Sequence, residues 1–332
     1  MAKRAVLLLA HGTPETVEQI PEYLRNVVSG RPVPQAVVEE IQHRYALIGR
    51  SPLTEITMEQ ARLVEIELAA TGQPVPVYVG MRNWRPYIPD VVRQMRADGI
   101  EAAAVICMAP QNSRTSVGLY RRAVEAEAGG LRIDFTAGWA DDPLLADAFA
   151  ERLRPAWTKL SAEVGSPVPV LFTAHSVPTR TVEAPAESGV NAGSRHWPGQ
   201  GVDPYAEEAR RTAELVAARV PGIPRWWFAF QSQGASGGPW LGPGVEETLE
   251  KLAGDGVKAL ILQPIGFLCD HVEILFDVDR LFKEVAARWG IRLERPESLN
   301  ASKTMAKAVA DLARRGLGRL DAAADAGTRP EE

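Results

Sequence analysis

Eight short runs of apolar residues punctuate the chain, each bounded by Gly, Pro or polar residues and separated by longer stretches of helical period. The first half contains AVLLLAHG, PVYVGMR, AAAVICMAP and LRIDFTAGW; the second contains PVLFTAHS, RWWFAFQSQ, KALILQPIGF and IRLERPES. Near-continuous apolar strands are what a parallel sheet covered on both faces requires, and the helical stretches supply the crossovers between its strands. The pattern predicts an α/β chain of two similar halves, four strands in each, with a cleft between them. The longest helical stretch starts near Asp142 and carries the chain from one half to the other. Asp141 or Asp142 is its N-cap and Pro143 lies in its first turn.

Both halves open on a strand that ends in Ala-His, LLLAHGTP at His11 and VLFTAHSVP at His175. Ligands of open parallel sheets bind beyond the carboxyl ends of the strands. The candidate residues are therefore those that end strands: His11, Arg82, Gln111, Trp139, His175, Gln231, Ser232 and the run CDHVEILFDVD. Asp270 reads as the N-cap of a helix in that run, and Glu273 and Asp277, four apart, share one of its faces. On a solvated face two such acids are unremarkable chemistry; facing His175 they form an anionic path for a divalent cation. A neutral imidazole beside a carboxylate suits ferrous iron, and the same imidazole can take up protons near neutral pH. Of the other histidines, His43 falls on the solvated side of a helix and His196 in an exposed insertion. His271 either serves the site or hydrogen-bonds its own turn.

Composition narrows the chemistry further. A net charge of −5 over 332 residues argues against a nucleic-acid partner. Two cysteines, Cys107 and Cys269, are too few for a four-thiolate iron–sulfur cluster, and without a CxxC spacing they read as packed thiols in a reducing compartment. No run approaches the ~20 apolar residues that cross a bilayer, and MAKRAVLLLAHG is too brief for a signal peptide. A cytoplasmic protein without a membrane span is the expectation. SQGASGGPWLGPGVEE contains neither a Walker pattern nor GxGxxG, so it reads as a structural loop around Trp240. Arg25, Arg31, Arg44, Tyr45, Arg50, Ser51, Arg114 and Tyr120 give the first half donors suited to a flat ligand with carboxylates on its rim. The stretch 179–204 is polar, Gly/Pro-rich and too long for a routine connection, a lid or an insertion. DAAADAGTRPEE reads as a frayed tail.

The ordered motifs FTAHSVP, FQSQGASGGPWLGPGVEETL and QPIGFLCDHVEILFDVD resemble the three signature regions of the ferrochelatases. LLLAHGTPETVEQIPEYLRNVVSGRPVP and HRYALIGRSPLTEIT resemble that family's N-terminal segment, so the similarity runs from about Ala5 to about Arg314. The resemblance implies two Rossmann-like domains around a porphyrin cleft, with domains at 1–141 and 142–318 and a tail at 319–332. It implies insertion of Fe2+ into a porphyrin as the closing chemistry of haem synthesis, with iron as substrate and no tightly bound cofactor. His175 and Glu273 would then bind the metal and accept the pyrrole protons, with Asp277 continuing an acidic line.

The N-terminal region looks most like the coproporphyrin III branch, in which GRP, RY…SPL and SVGLY bind the porphyrin. This points to Arg31, Arg44, Tyr45, Ser51 and Tyr120. Where that branch commonly has Tyr in AYGTP this chain has His11, which makes His11 the expected axial ligand of the metallated product. An Arg that the family pattern places near Val28 is missing, and the 179–204 stretch is longer than the family's. The expected partners are the porphyrin and ferrous iron, with transient contact to neighbouring haem-pathway enzymes, for a monomer. The competing readings are the same reaction on protoporphyrin IX, a chelatase for another tetrapyrrole, and a porphyrin or haem carrier without catalysis.

Overall fold

The computed structural model describes residues 2–183, 202–233 and 238–327. All eight expected strands form. β1 (Arg4–Ala10), β2 (Val77–Met81), β3 (Ala102–Cys107) and β4 (Arg132–Thr136) make one sheet in the order β2-β1-β3-β4. β5 (Val170–His175), β6 (Trp226–Gln231), β7 (Ala259–Pro264) and β8 (Arg292–Glu294) make the second, in the matching order β6-β5-β7-β8. Every pairing is parallel; Leu8, for example, faces Val79 on one side and Ile106 on the other.

In each sheet the first strand in sequence lies inside, with its two neighbours reached by crossovers in opposite directions. That reversal opens a crevice at the carboxyl end of the first strand. It is where β1 delivers His11 and β5 delivers His175.

The helices are α1 (Ile20–Val27), α2 (Gln35–Ile48), α3 (Leu53–Ala70), α4 (Ile88–Ala97), α5 (Val117–Glu125), α6 (Pro143–Val164), α7 (Tyr205–Ala218), α8 (Val245–Gly254), α9 (Lys283–Arg288) and α10 (Lys303–Gly327). A π-helix, Glu273–Phe282, leads directly into α9. Alternation along β1 sends Val6 and Leu8 to one core and Ala5, Leu7 and Leu9 to another. The first of these cores is continuous between the two sheets, joining Val6 and Leu8 to Phe172, Ile261 and the inner faces of α3, α6 and α10. The halves are thus welded behind the crevice. Asp142 caps α6 as expected, its Oδ1 accepting the amides of Leu144 at 2.9 Å and Leu145 at 3.4 Å.

The end of the chain departs from the sequence-based division. α10 runs back over the first sheet, packing on β3, β4 and α3. Arg319 forks onto Asp134 (2.8 and 2.6 Å), and Arg132 donates to the Leu320 carbonyl (3.0 Å). Residues 319–327 are therefore helix rather than frayed tail, with Leu320 buried, and the second domain does not simply own everything after residue 141. Most of the 179–204 stretch, with His196, lies outside the described residues. Its flanks meet where Asp203 N–H donates to the Val182 carbonyl at 2.9 Å. Trp240 pairs with Pro178 across an isolated bridge, and residues 234–237 of the stretch expected to form a structural loop around it lie outside the described residues. Cys107 and Cys269 are buried and unpaired by disulfide. Among the described residues, no helix is long and apolar enough to cross a membrane.

Candidate metal-insertion site

His11 leaves β1 on a turn that only glycine can follow. Gly12 has φ +78°, and a Cβ there would lie 2.8 Å from Met81 Cβ and 2.9 Å from Trp84 N. The turn is pinned to β2's exit: Arg82 N–H donates to the Ala10 carbonyl at 2.9 Å and Asn83 N–H to the His11 carbonyl at 2.8 Å. The imidazole lies with Nε2 2.9 Å from Tyr23 Oη, and Asn83 Nδ2 stands 3.2 Å from Nδ1 and 3.1 Å from Nε2. Burial, then the positive charge of Arg82, pushes this histidine down to about 3, so it is neutral at physiological pH.

Across the crevice His175 ends β5. A carbonyl only accepts, so the very short contact between His175 Nδ1 and the Ser176 carbonyl places a proton on Nδ1 and aims Nε2 outward. Nε2 lies 3.3 Å from Glu273 Oε1. The second oxygen, Oε2, lies 3.4 Å from Nε2 of His271, whose Nδ1 in turn donates to the Cys269 carbonyl at 3.0 Å. One carboxylate thus sits between two imidazoles, each locked by a backbone carbonyl into presenting Nε2. Phe267 packs edge-on to His175 (ring centroids 6.2 Å apart) and tilted against His271 (4.5 Å).

Burial opposes charge on both members of the central pair, yet the pair wins. His175 is raised from its usual value because the Glu273 carboxylate and the Ser176 carbonyl outweigh desolvation. Glu273 is held well below the usual carboxylate range because His175 and His271 do the same for it. Both side chains remain 31% exposed, enough to meet a ligand in the crevice.

Asp277 stays on the same side of the π-helix as Glu273, because a residue four on falls just short of one i→i+5 turn. It is buried, and both of its oxygens are engaged. Arg44 Nη1 reaches Oδ1 at 3.1 Å, and the Ser232 hydroxyl donates to Oδ2 from a residue held at φ +59°. Burial raises the Asp277 carboxyl against the pull of Ser232 and Arg44. Arg44 also pairs with Glu40 (2.9 Å) and lies 4.9 Å over the Phe276 ring. Among the described residues, no three His, Cys, Asp or Glu side chains are grouped to hold a metal ion. His175 and Glu273 are the open donors, and Asp277 is tied back to Arg44 and Ser232.

The other expected residues separate into two sets. Tyr45 and Tyr120 are buried on α2 and α5, with Arg82 lying 5.5 Å over the Tyr120 ring. Ser51 is buried two residues before α3. Arg31 is exposed on the loop after α1, its Nε on the Val28 carbonyl at 2.9 Å. Arg44, expected free for a ligand carboxylate, instead bridges the crevice to Asp277. Asp270 does not cap the helix that follows; Arg295, Ser298 and Asn300 take its carboxylate. His43 is exposed on α2, as expected.

Sequence reasoning missed Tyr23 and Asn83. Tyr23 shares the buried face of α1 with Ile20 and Leu24, an amphipathic signal that was present; Asn83 stands one residue past a strand end. Four hydroxyls between residues 13 and 54 are buried without a hydrogen-bond partner: Thr13, Tyr45, Ser51 and Thr54. Such groups are destabilising by about 1–3 kcal/mol each unless a ligand satisfies them.

Comparison with known proteins bears on this geometry. A family-wide sequence description named Ferrochelatase matches residues 3–317. Ferrochelatase of Acidobacterium capsulatum is 59% identical over 321 residues, covering 96% of each chain. Coproporphyrin III ferrochelatase of Mycolicibacterium vanbaalenii is 36% identical over 319 residues, covering 94% of this chain and 89% of its own. Among solved structures, the sirohydrochlorin chelatase SirB from Bacillus subtilis subspecies spizizenii, in complex with cobalt, superposes with a TM-score of 0.55 at 12% identity over 95% of each chain. That similarity concerns the fold alone, two parallel four-stranded sheets flanked by helices.

Proposed function

The chain belongs to the ferrochelatase family, lyases that insert iron into a porphyrin, and from that premise we propose that its porphyrin is coproporphyrin III, metallated by way of His175 and Glu273. The observation that carries the site assignment is the single carboxylate held between the Nε2 atoms of the part-exposed His175 and the buried His271. Metallation releases two N–H protons from the macrocycle as Fe2+ enters. Glu273 stays anionic between its two imidazoles, so its carboxylate attracts the cation, and His175 Nε2 is left for the protons that the macrocycle gives up. His175 and His271 are each fixed at Nδ1, so Nε2 is where each takes a released proton; their shared carboxylate stabilises the imidazolium that forms. Because these groups stand preformed in the crevice wall, no reorganisation accompanies charge transfer.

The opposite wall carries His11, neutral and oriented by Tyr23 and Asn83. This is the state in which imidazole ligates ferrous iron, and it supports His11 as axial ligand of the metallated product. The four unpartnered hydroxyls, and Arg44 through the Nη2 that neither Glu40 nor Asp277 takes, support a ligand bearing several carboxylates, which favours coproporphyrin, with four, over protoporphyrin IX, with two. Relatives from Mycolicibacterium, Nocardia and Geobacillus bear the name coproporphyrin III ferrochelatase, whereas the Acidobacterium relative's name specifies no porphyrin.

The test is kcat/KM for anaerobic metallation of each porphyrin, in the wild type and in Ser51→Ala and Arg44→Gln. The expected result is preference for coproporphyrin, reduced in both variants. Preference for protoporphyrin would overturn the substrate assignment and leave the chemistry standing. An unchanged spectrum of the haem complex in His11→Ala would overturn the axial role.

A further inference from the structure

One nearly buried guanidinium holds two acids that flank Glu273 in sequence. Arg295, just beyond β8, has a side chain only 10% exposed. Its Nε and Nη2 fork onto the two oxygens of Asp279 at 2.8 and 2.7 Å. Its Nη1 lies 3.2 Å from Asp270 Oδ1 and also donates to Ser298 Oγ and the Pro296 carbonyl, both at 3.1 Å. Asp270 is held on every side: the Ser298 hydroxyl donates to Oδ1 at 2.6 Å, and Asn300 Nδ2 donates to Oδ2 at 2.9 Å. The Asp270 N–H donates to Asn300 Oδ1 at 2.8 Å. Asn300 is itself tied to the Leu268 carbonyl (2.9 Å) and receives Gln60 Nε2 from α3 on its own carbonyl (2.9 Å).

The consequence lies in where these two acids stand. Asp270 precedes Glu273 by three residues and Asp279 follows it by six, so one rigid fork grips the chain on both sides of the reactive carboxylate. His271, the second imidazole, is the immediate neighbour of Asp270. A π-helix is rare, usually no more than a single turn, and is found frequently at functional sites. A group misplaced by about 1 Å can lower a rate on the order of 100-fold.

We propose that Arg295 is a positioning residue for metal insertion, clamping Asp270 and Asp279 so that Glu273 sits between His175 and His271. The inference rests on the reading of Glu273 as the reacting carboxylate. Arg295→Lys keeps the charge and removes the planar fork. It should lower kcat for anaerobic iron insertion on the order of 10–100-fold with the porphyrin KM within about twofold of wild type. Asp279→Asn, which weakens the same fork from the other end, should behave alike and serves if Arg295→Lys folds poorly. Arg319→Lys removes a more exposed fork, onto Asp134 under α10 and away from Glu273, and should leave kcat unchanged.

Introduced into Glu273→Asp, Arg295→Lys should add less than about twofold, because two changes acting through one carboxylate are not additive. A role in stability alone would add its full loss in that background. Wild-type kcat in both Arg295→Lys and Asp279→Asn would overturn the proposal while Glu273→Gln remained inactive. Full turnover in Glu273→Gln would instead overturn the role that Arg295 is said to support, and the clamp with it.

Discussion

Replacing Gly12 with alanine tests the turn that sets His11 in the crevice, and a second glycine separates the two components of the cost. Gly12 has φ +78°, a conformation that costs an L-residue about 1–2 kcal/mol. The added Cβ also meets Met81 Cβ at 2.8 Å, Trp84 N at 2.9 Å and Trp84 Cβ at 3.1 Å. One of these atoms is backbone, and the others sit on fully buried side chains, so relief requires displacement of β2's exit. Overpacking of this kind costs about 1–3 kcal/mol, giving about 2–5 kcal/mol for Gly12→Ala.

Gly99 has nearly the same φ, +76°, but nothing lies within 4 Å of its notional Cβ. Gly99→Ala should therefore show the conformational component alone, about 1–2 kcal/mol. Equilibrium denaturation at 25 °C, with unchanged slope, should place Gly12→Ala about 1–3 kcal/mol below Gly99→Ala. The functional signature follows the same contacts. Trp84 packs edge-on to Tyr23 (6.4 Å between centroids), whose hydroxyl meets His11, so displacing Trp84 should also weaken porphyrin binding in Gly12→Ala and not in Gly99→Ala. Equal destabilisation by the two substitutions would refute the reasoning.

Three further outcomes follow from the geometry. His11 takes a proton near 6.5 when unfolded and only near 3 when folded. Its contribution to stability is therefore complete above pH 6.5 and lost as pH falls from 6.5 toward 3, amounting to about 2 kcal/mol by pH 5; denaturation of wild type and His11→Gln at pH 7 and pH 5 should differ by that amount, and parallel pH dependence would contradict it. Phe172, fully buried on β5 and edge-on to Trp226 at 5.7 Å, should cost about 3–5 kcal/mol when cut to alanine, measured by denaturant unfolding. Ser232→Ala removes the hydroxyl from a buried carboxylate and should destabilise by about 1.5–3 kcal/mol in the same denaturant unfolding, and an unchanged midpoint would contradict it.

The strands were legible because a sheet covered on both faces leaves a continuous apolar run in sequence, and the carboxyl-end rule then pointed to His11 and His175. Glu273 was legible through its spacing to Asp277 and the signature around it. Contacts made across the crevice were not. Arg44 and Asp277 are 233 residues apart, and an exposed-looking arginine on α2 gives no local sign that it will meet an acid on the opposite wall. Asp270 looked like a helix cap because a capping acid and a clamped acid have the same sequence; only the approach of Arg295 and Asn300 distinguishes them. The return of α10 to the first sheet depends on the close approach allowed by Gly316, whose notional Cβ would lie 3.0 Å from Ala104 Cβ. Composition at the chain's end, rich in Ala and Asp, gave no hint of that long-range packing.

The central claim is that His175 and Glu273 perform metal insertion from one wall of the crevice. It is tested most directly by anaerobic single-turnover spectroscopy, with coproporphyrin III bound before Fe2+ is added, in wild type, His175→Ala and Glu273→Gln. The account predicts that all three bind the porphyrin, that wild type converts its bands to those of the iron complex, and that each variant does so on the order of 100-fold more slowly or less. Conversion at the wild-type rate in either variant would contradict it.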